Sequence, residues 1–212
     1  MRTDLDPAGL GVRGFYRLLT SVVVPRPIAW VSTRSATGVD NLAPHSFFTV
    51  SCVDPPMVQF TSVGVKDSLT NARETGEFVV CLATEPLFEQ VNATGTDFPA
   101  GVSEFARVGL TAEPSELVAP PRVAESPVAL ECRLEQALTL GDSTVVIGRV
   151  VHASVRTDVF DGDPHDGGLP TIAGLAPLAR LGRDEWSTVG ELREITRIPF
   201  RDWPGHYSAP TA

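Results

Sequence analysis

Lysine is almost missing from this 212-residue chain: of 17 basic residues, 16 are arginine and one, Lys66, is lysine. Cysteine is scarce too, and the three present (Cys52, Cys81 and Cys132) are odd in number and far apart. They fit neither a disulfide framework nor a CxxC zinc site, and each reads as a small core residue of a protein kept in a reducing cytoplasm. No apolar run approaches the ~20 residues that span a bilayer. The nearest, Val22 to Val31, is broken by Arg26 and two prolines. The opening MRTDLDPAGL lacks a basic segment leading into an apolar one, so it does not read as a secretory signal. A net charge of −9 argues against a broad nucleic-acid surface, which would need clustered Lys and Arg. GxSxG, HExxH and GxxxxGK[ST] are absent. GxGxxG occurs once, at Gly9–Gly14, but no predicted strand leads into it as a dinucleotide-binding turn requires, so any nicotinamide would bind in some other way.

What remains is a globular composition. Hydrophobic residues make up 42%, which excludes a disordered or fibrous chain, and the length suits one domain. We expect a flexible segment over 1–11, a domain over 12–203 and a tail over 204–212. Around Leu130, Cys132 and Leu134 apolar residues alternate with Glu131, Arg133 and Glu135, which predicts a strand over 129–138 with one wet face. A longer strand is predicted over 144–156. Ile28–Thr33, Ser46–Val53, Met57–Ser62 and Glu77–Leu82 are short, rich in β-branched or aromatic residues, and mostly flanked by turn residues. Six closely spaced strands predict a barrel or sandwich. Helices are predicted over Asp67–Thr75 (N-cap Asp67 or Ser68, Leu69 and Ala72 on one face, Gly76 just past the end), over Pro86–Asn92 and over Gly14–Ser21. The segment 157–174, rich in Gly, Pro and Asp, predicts a long loop.

Several segments are candidates for chemistry. Asp161, Asp163, His165 and Asp166 resemble part of a calcium loop, but the twelfth position is Ile172, so we read a solvated acidic turn and assign no metal. The run Phe60–Asn71 passes from a strand through Gly64 into the predicted helix. Its helix N-terminus, with Ser62, Ser68 and Lys66, could hold one phosphate; an ordinary strand–helix junction has the same look. Asn41 and Ser46 flank Leu-Ala-Pro-His and offer hydrogen bonds beside a flat apolar surface. His45 is read as a partly exposed structural histidine, and Trp30 and Phe47 as core. Over 97–142, eight carboxylates face three arginines; this reads as a solubilising face, with a docking surface for a basic redox partner as the other reading.

The ordered succession Pro25-Arg-Pro-Ile-Ala-Trp-Val-Ser-Thr33, Asn41-Leu-Ala-Pro-His-Ser-Phe-Phe48, Asp54-Pro-Pro56, Lys66-Asp-Ser68 with Asn71, and Gly76-Glu-Phe-Val79 resembles the flavin reductase-like family of FMN-binding split barrels. Glu104-Phe105, Ser126–Cys132, Val146–Val150 and Pro177–Gly182 are similar to that family's later segments, so the likeness spans roughly 12–200. It implies a mainly β, Greek-key split barrel with a few short helices, forming a homodimer with FMN near the subunit interface. By the same resemblance Thr33, Asn41, Ala43, Pro44 and Ser46 line the isoalloxazine and ribityl side. Ser62, Lys66, Asp67 and Ser68 mark the phosphate end, Asn71 bonds the same loop or the cofactor, and Arg180 reaches a cofactor across the interface. Two departures from the family pattern stand out: Ser68 replaces the usual Thr, and Arg183 then Trp186 follow where Gly and Tyr are usual. The implied activity is NAD(P)H-dependent flavin reduction, with NADH or NADPH as donor, no dedicated catalytic acid or base, and a monooxygenase or other redox partner downstream. The alternative is an FMN-binding electron carrier, flavoredoxin-like, reduced by a protein partner.

Overall fold

The structure, a computed structural model, describes residues 1–99 and 101–205. The part of the expected tail from 206 onward lies outside the described residues. Seven strands form one antiparallel sheet: β1 (Ala29–Arg34), β2 (Asp40–His45), β3 (Phe48–Cys52), β4 (Met57–Val63), β5 (Glu77–Leu82), β6 (Val128–Leu140) and β7 (Ser143–Val155). Their order is β2-β1-β5-β6-β7-β4-β3. The two edges, β2 and β3, are neighbours in the chain, separated only by Ser46 and Phe47. The sheet therefore curls until its edges meet at a seam, and the β3–β4 ladder runs on to Phe47, whose C=O accepts from Thr61 N–H at 2.8 Å. β2 was not expected as a strand: its Asn, Pro and His are poor strand formers, tolerated here on an open edge.

β1 and β5 are buried on both faces, which explains their unbroken apolar runs Ile28–Val31 and Phe78–Cys81. One set of alternate residues (Ala29, Val31, Phe78, Val80) packs inside the barrel with Phe60 and Val146. The other set (Trp30, Val79, Cys81) packs outward against Val91, Phe105 and Leu178. Helix α2 (Asp67–Thr75) closes one end of the barrel, with Leu69 and Ala72 in the inner core as their spacing predicts. It ends at Gly76, whose φ of 74° is the left-handed conformation that glycine adopts without strain. Its N-cap, however, is Lys66 rather than Asp67 or Ser68.

Around the barrel lie α1 (Pro7–Val22), α3 (Phe88–Ala93), α4 (Glu104–Arg107) and α5 (Ile172–Leu175). α1 starts inside the segment expected to be flexible, because Asp6 Oδ1 caps it by accepting from Gly9 N–H at 2.8 Å; Gly11 kinks it. A single 3₁₀ turn, Glu85–Leu87, precedes α3 where one helix was expected. The segment 157–174 is more ordered than a loop: Phe160–Asp161 pairs with Leu169–Pro170, and Val159 is buried.

Two carboxylates of the acidic 97–142 region do not face solvent. Glu131 on β6 is fully buried, accepts from Glu116 and Leu117 N–H at 2.8 and 2.7 Å, and lies 3.2 Å from His152 Nδ1. Burial alone would raise its pKa, but the two N–H groups and His152 outweigh that and hold it below the usual carboxylate range. Glu131 thereby clasps the 116–117 loop to the barrel. Cys81 and Cys132 are core residues as expected, whereas Cys52 is only half-buried. Gly148 marks a bulge in β7 where a β-carbon would overlap the Phe78 ring, 2.6 Å from Cε1. Gly148→Ala should lower stability by about 1–3 kcal/mol through overpacking, read as a lower urea midpoint.

Candidate functional site

A groove of about 280 Å³ opens beside the edge strand β2. One wall is β2. Residues alternate sides along a strand, so Asn41, Ala43 and His45 share a face. Pro44, between the last two, has no N–H to leave unpaired on an open edge. The edge N–H of Leu42 donates to Glu104 Oε2 at 2.8 Å. Burial lifts the Glu104 carboxyl above its usual range, against the pull of the Leu42 N–H, and nearby Asp67 adds to the lift.

The facing wall is the start of α2. Lys66 sits at the N-cap in extended conformation and its side chain accepts no bond from the helix, so no side chain caps the first-turn N–H groups. Lys66 and Asp67 are exposed and Ser68 is buried. The positive end of the helix and the chain's one lysine thus fall at one end of the groove. Behind it, Asn41 Nδ2 donates to Thr33 Oγ1 at 3.3 Å and to Ser68 Oγ at 3.2 Å, and Asn71 Nδ2 donates to Thr33 Oγ1 at 3.0 Å. These four buried polar residues tie the edge strand to the helix.

The floor is the turn after α3. Trp30 Nε1 donates to Thr94 Oγ1 at 2.8 Å, which fixes the turn on the core. Gly95 then passes close to Pro44, 3.6 Å from where a β-carbon would stand. Beyond Pro44 and Gly95 a hollow of about 200 Å³ brings in Ser46, Arg180 and Trp186. Arg180 lies 4.6 Å above the Trp186 ring and donates to Arg183 C=O at 3.0 Å. Arg183 and Trp186, where the family pattern has Gly and Tyr, thus both meet Arg180.

His45 is buried rather than partly exposed. Its ring packs on Phe60 at 4.7 Å between centroids, and Nε2 is buried without a hydrogen-bond partner. Burial, then the charge of Lys66, push its pKa down to about 4, against a backbone bond with Thr61. Phe47 is likewise not core: it is half-buried at the seam.

Of the expected site residues, the groove gathers Asn41, Ala43, Pro44, Lys66, Asp67 and Ser68, and the adjoining hollow gathers Ser46 and Arg180. Thr33 stands behind Asn41. Asn71 lines a separate polar hollow on the far side of the first turn of α2. Ser62 lines none of these; its hydroxyl donates to Gly64 C=O at 2.9 Å and fixes the turn before Lys66. Sequence reading missed the Thr94–Phe98 turn and the role of Glu104, whose only local signal was a glycine after a helix and a carboxylate beside Phe105. Among the described residues, no group of three or more His, Cys, Asp or Glu is placed to hold a metal ion.

Two outcomes follow. Thr33→Val leaves two buried amides without their shared acceptor and should cost about 1–3 kcal/mol in denaturant unfolding, whereas Thr33→Ser should restore most of it. His45 should show no NMR titration near its ordinary 6.5, only one centred at about 4. The folded pKa lies below the unfolded one, so its contribution is full above pH 6.5 and is lost as pH falls from there through about 4.

Residues 21–173 match the family model described as the flavin reductase like domain. An uncharacterized protein of Halalkalibacterium halodurans is 40% identical over 205 residues, covering 91% of this chain and 95% of that protein. The solved structure of nitrilotriacetate monooxygenase component B from Bacillus cereus superposes with a TM-score of 0.87 at 32% identity, covering 92% of this chain and 99% of that one. For the 2-nitrobenzoate 2-nitroreductase of Pseudomonas fluorescens the TM-score is 0.86 at 29% identity, over 96% and 100% of the two chains. With a match across most of its length and a sheet that splits at one seam, this chain belongs to the flavin reductase-like family and has a split-barrel fold.

Proposed function

We propose that the chain is an FMN-dependent oxidoreductase reduced by NADH or NADPH. One observation carries the reading: Lys66 and the uncapped N–H groups of the first turn of α2 converge on one end of a single groove, and the neutral His45, its Nε2 buried without a partner, stands in the β2 wall. That set suits an anionic phosphate joined to a flat polar ring. Lys66, the N–H groups beside Asp67, and the Ser68 hydroxyl would hold the phosphate; Ser68 Oγ accepts from Asn41 and keeps its own proton to donate. Asn41, Ala43, Pro44 and Ser46 would run along the ribityl chain and ring, and Arg180 would stand at the far end. Thr33 and Asn71 act through Asn41, and Ser62 acts through the Gly64 turn.

When bound, FMN supplies the hydride-accepting centre, and the chain supplies position and electrostatics. Its residues exclude water with Pro44 and the Thr94–Phe98 turn and present N–H donors where negative charge develops. No acid or base is needed for hydride transfer, and His45 is neutral at working pH. A homodimer fits the residues after 188, where Leu192, Ile195 and Phe200 are 63%, 91% and 93% exposed, more apolar surface than a lone protomer ordinarily leaves wet. Likeness to a monooxygenase component B supports an oxygenase as consumer of the reduced flavin.

Anaerobic mixing with FMN and each nicotinamide should bleach the flavin with at least one of them; bleaching with neither would favour the electron carrier reduced by a protein partner. Lys66→Ala should weaken FMN binding by about 1–3 kcal/mol in a fluorescence titration, as loss of a charged hydrogen bond does. Unchanged affinity would remove Lys66 from the phosphate site.

A further inference from the structure

Three short segments outside the barrel, Arg26–Pro27, Leu178–Arg180 and Trp186–Thr188, form a small antiparallel sheet with Leu178–Arg180 in the middle. Arg180 pairs with Arg26 on one side and with Trp186 on the other. Residues directly opposite each other across antiparallel strands share a face, so these three side chains stand in a row with Arg180 at its centre.

Both neighbours confine it. Trp186 offers its ring face, with the Arg180 guanidinium carbon 4.6 Å from the centroid. That ring is itself fixed by Phe88 of α3, edge-on at 5.2 Å between centroids. Arg26 is buried and spends its guanidinium on the carbonyls of Thr20, Val23 and Leu181, so towards Arg180 it is only a like charge. The Arg183 carbonyl accepts a further Arg180 donor at 3.0 Å. Among the described residues, no carboxylate lies within ion-pair distance of Arg180. Its charge is therefore held in place without being neutralised.

That place adjoins the cofactor groove. The hollow of about 200 Å³ that Arg180 and Trp186 line also contains Pro44 and Gly95, and both of these line the groove of the same protomer. With the phosphate at Lys66, the flat ring of FMN would extend toward Arg180. A neutral flavin ring that accepts a hydride from the nicotinamide gains two electrons and one proton, and so one negative charge. A fixed cation beside the ring stabilises that reduced form and does little for the neutral one.

We propose that Arg180 raises the reduction potential of the bound flavin, and that Trp186 is the residue that positions it. The inference rests on the reading above. It also gives a use to Trp186, the ring with the strongest attraction for a cation, at a position where the family pattern has Tyr.

The test is the two-electron midpoint potential of bound FMN at fixed pH, by anaerobic titration against a reference dye, with affinity for oxidised FMN measured alongside by fluorescence. Arg180→Gln should cost reduced FMN about tenfold in affinity relative to oxidised FMN, which lowers the potential of a two-electron couple by about 30 mV. Arg180→Lys keeps the charge and should hold most of the wild-type potential. Trp186→Leu should lower the potential by releasing Arg180 into water, and Trp186→Tyr should restore it. A potential that Arg180→Gln leaves unmoved, or an equal loss of affinity for oxidised and reduced FMN, would overturn the proposal and leave the flavin reading standing. A wild-type potential in Trp186→Leu would overturn the positioning role. A wild-type chain that binds no FMN would sink the flavin reading and this inference with it.

Discussion

The hydrogen bonds that Asn41 and Asn71 make to Thr33 and Ser68 are the constraint on which the groove depends. β2 is an edge strand paired on one side only, with β1. An edge strand of this composition has little reason to stay flat or in register, because half its backbone groups face away from the sheet. The buried amides fasten it from below to the first turn of α2, and Glu104 holds it from outside through the Leu42 N–H. Helix, strand and α4 therefore move as one unit. Unsatisfied polar atoms at this depth would each cost about 1–3 kcal/mol, which makes the arrangement close to all-or-none.

Buried carboxylates recur as backbone clasps. Glu104 holds an edge strand and Glu131 holds a loop, each by accepting backbone N–H groups that the sheet leaves unpaired. The protonation tendencies diverge for a physical reason. Glu131 receives two N–H groups and a histidine, and its charge is favoured, whereas at Glu104 burial outweighs the backbone N–H groups, with a small further lift from Asp67. The cations gather at the seam instead: Lys66 at one end, Arg180 and Arg26 at the other. Asp67, Asp97 and Glu104 line the Lys66 end as well, so cations stand without neighbouring carboxylates only at the Arg180 and Arg26 end.

Much of this architecture was legible in the residues. Short runs rich in β-branched and aromatic residues marked β1 and β5 as strands, and the alternation around Glu131 marked β6. Leu69, Ala72 and Gly76 marked α2 and its C-terminal end, while its N-cap, Lys66, was placed one or two residues too late. β2 was invisible because Asn, Pro and His have low strand propensity, and only pairing with β1 makes a strand of them. His45 and Phe47 were misplaced for a related cause. Whether a side chain at a chain reversal faces core or groove depends on where the sheet closes, and that is a long-range property.

Local sequence determined the strands with strong periodicity, the capped helix and the ordered motifs that resemble the flavin reductase-like family. Tertiary structure alone decided which of the motif residues meet. Thr33 and Asn41 face each other across the β1–β2 hairpin, and Ser68 and Asn71 reach them because α2 is laid across one end of the barrel. Ser62, three residues before Val65 and four before Lys66, is turned away from them by its bond to Gly64. Spacing along a chain specifies which face a side chain takes; closure of the barrel specifies what that face looks onto.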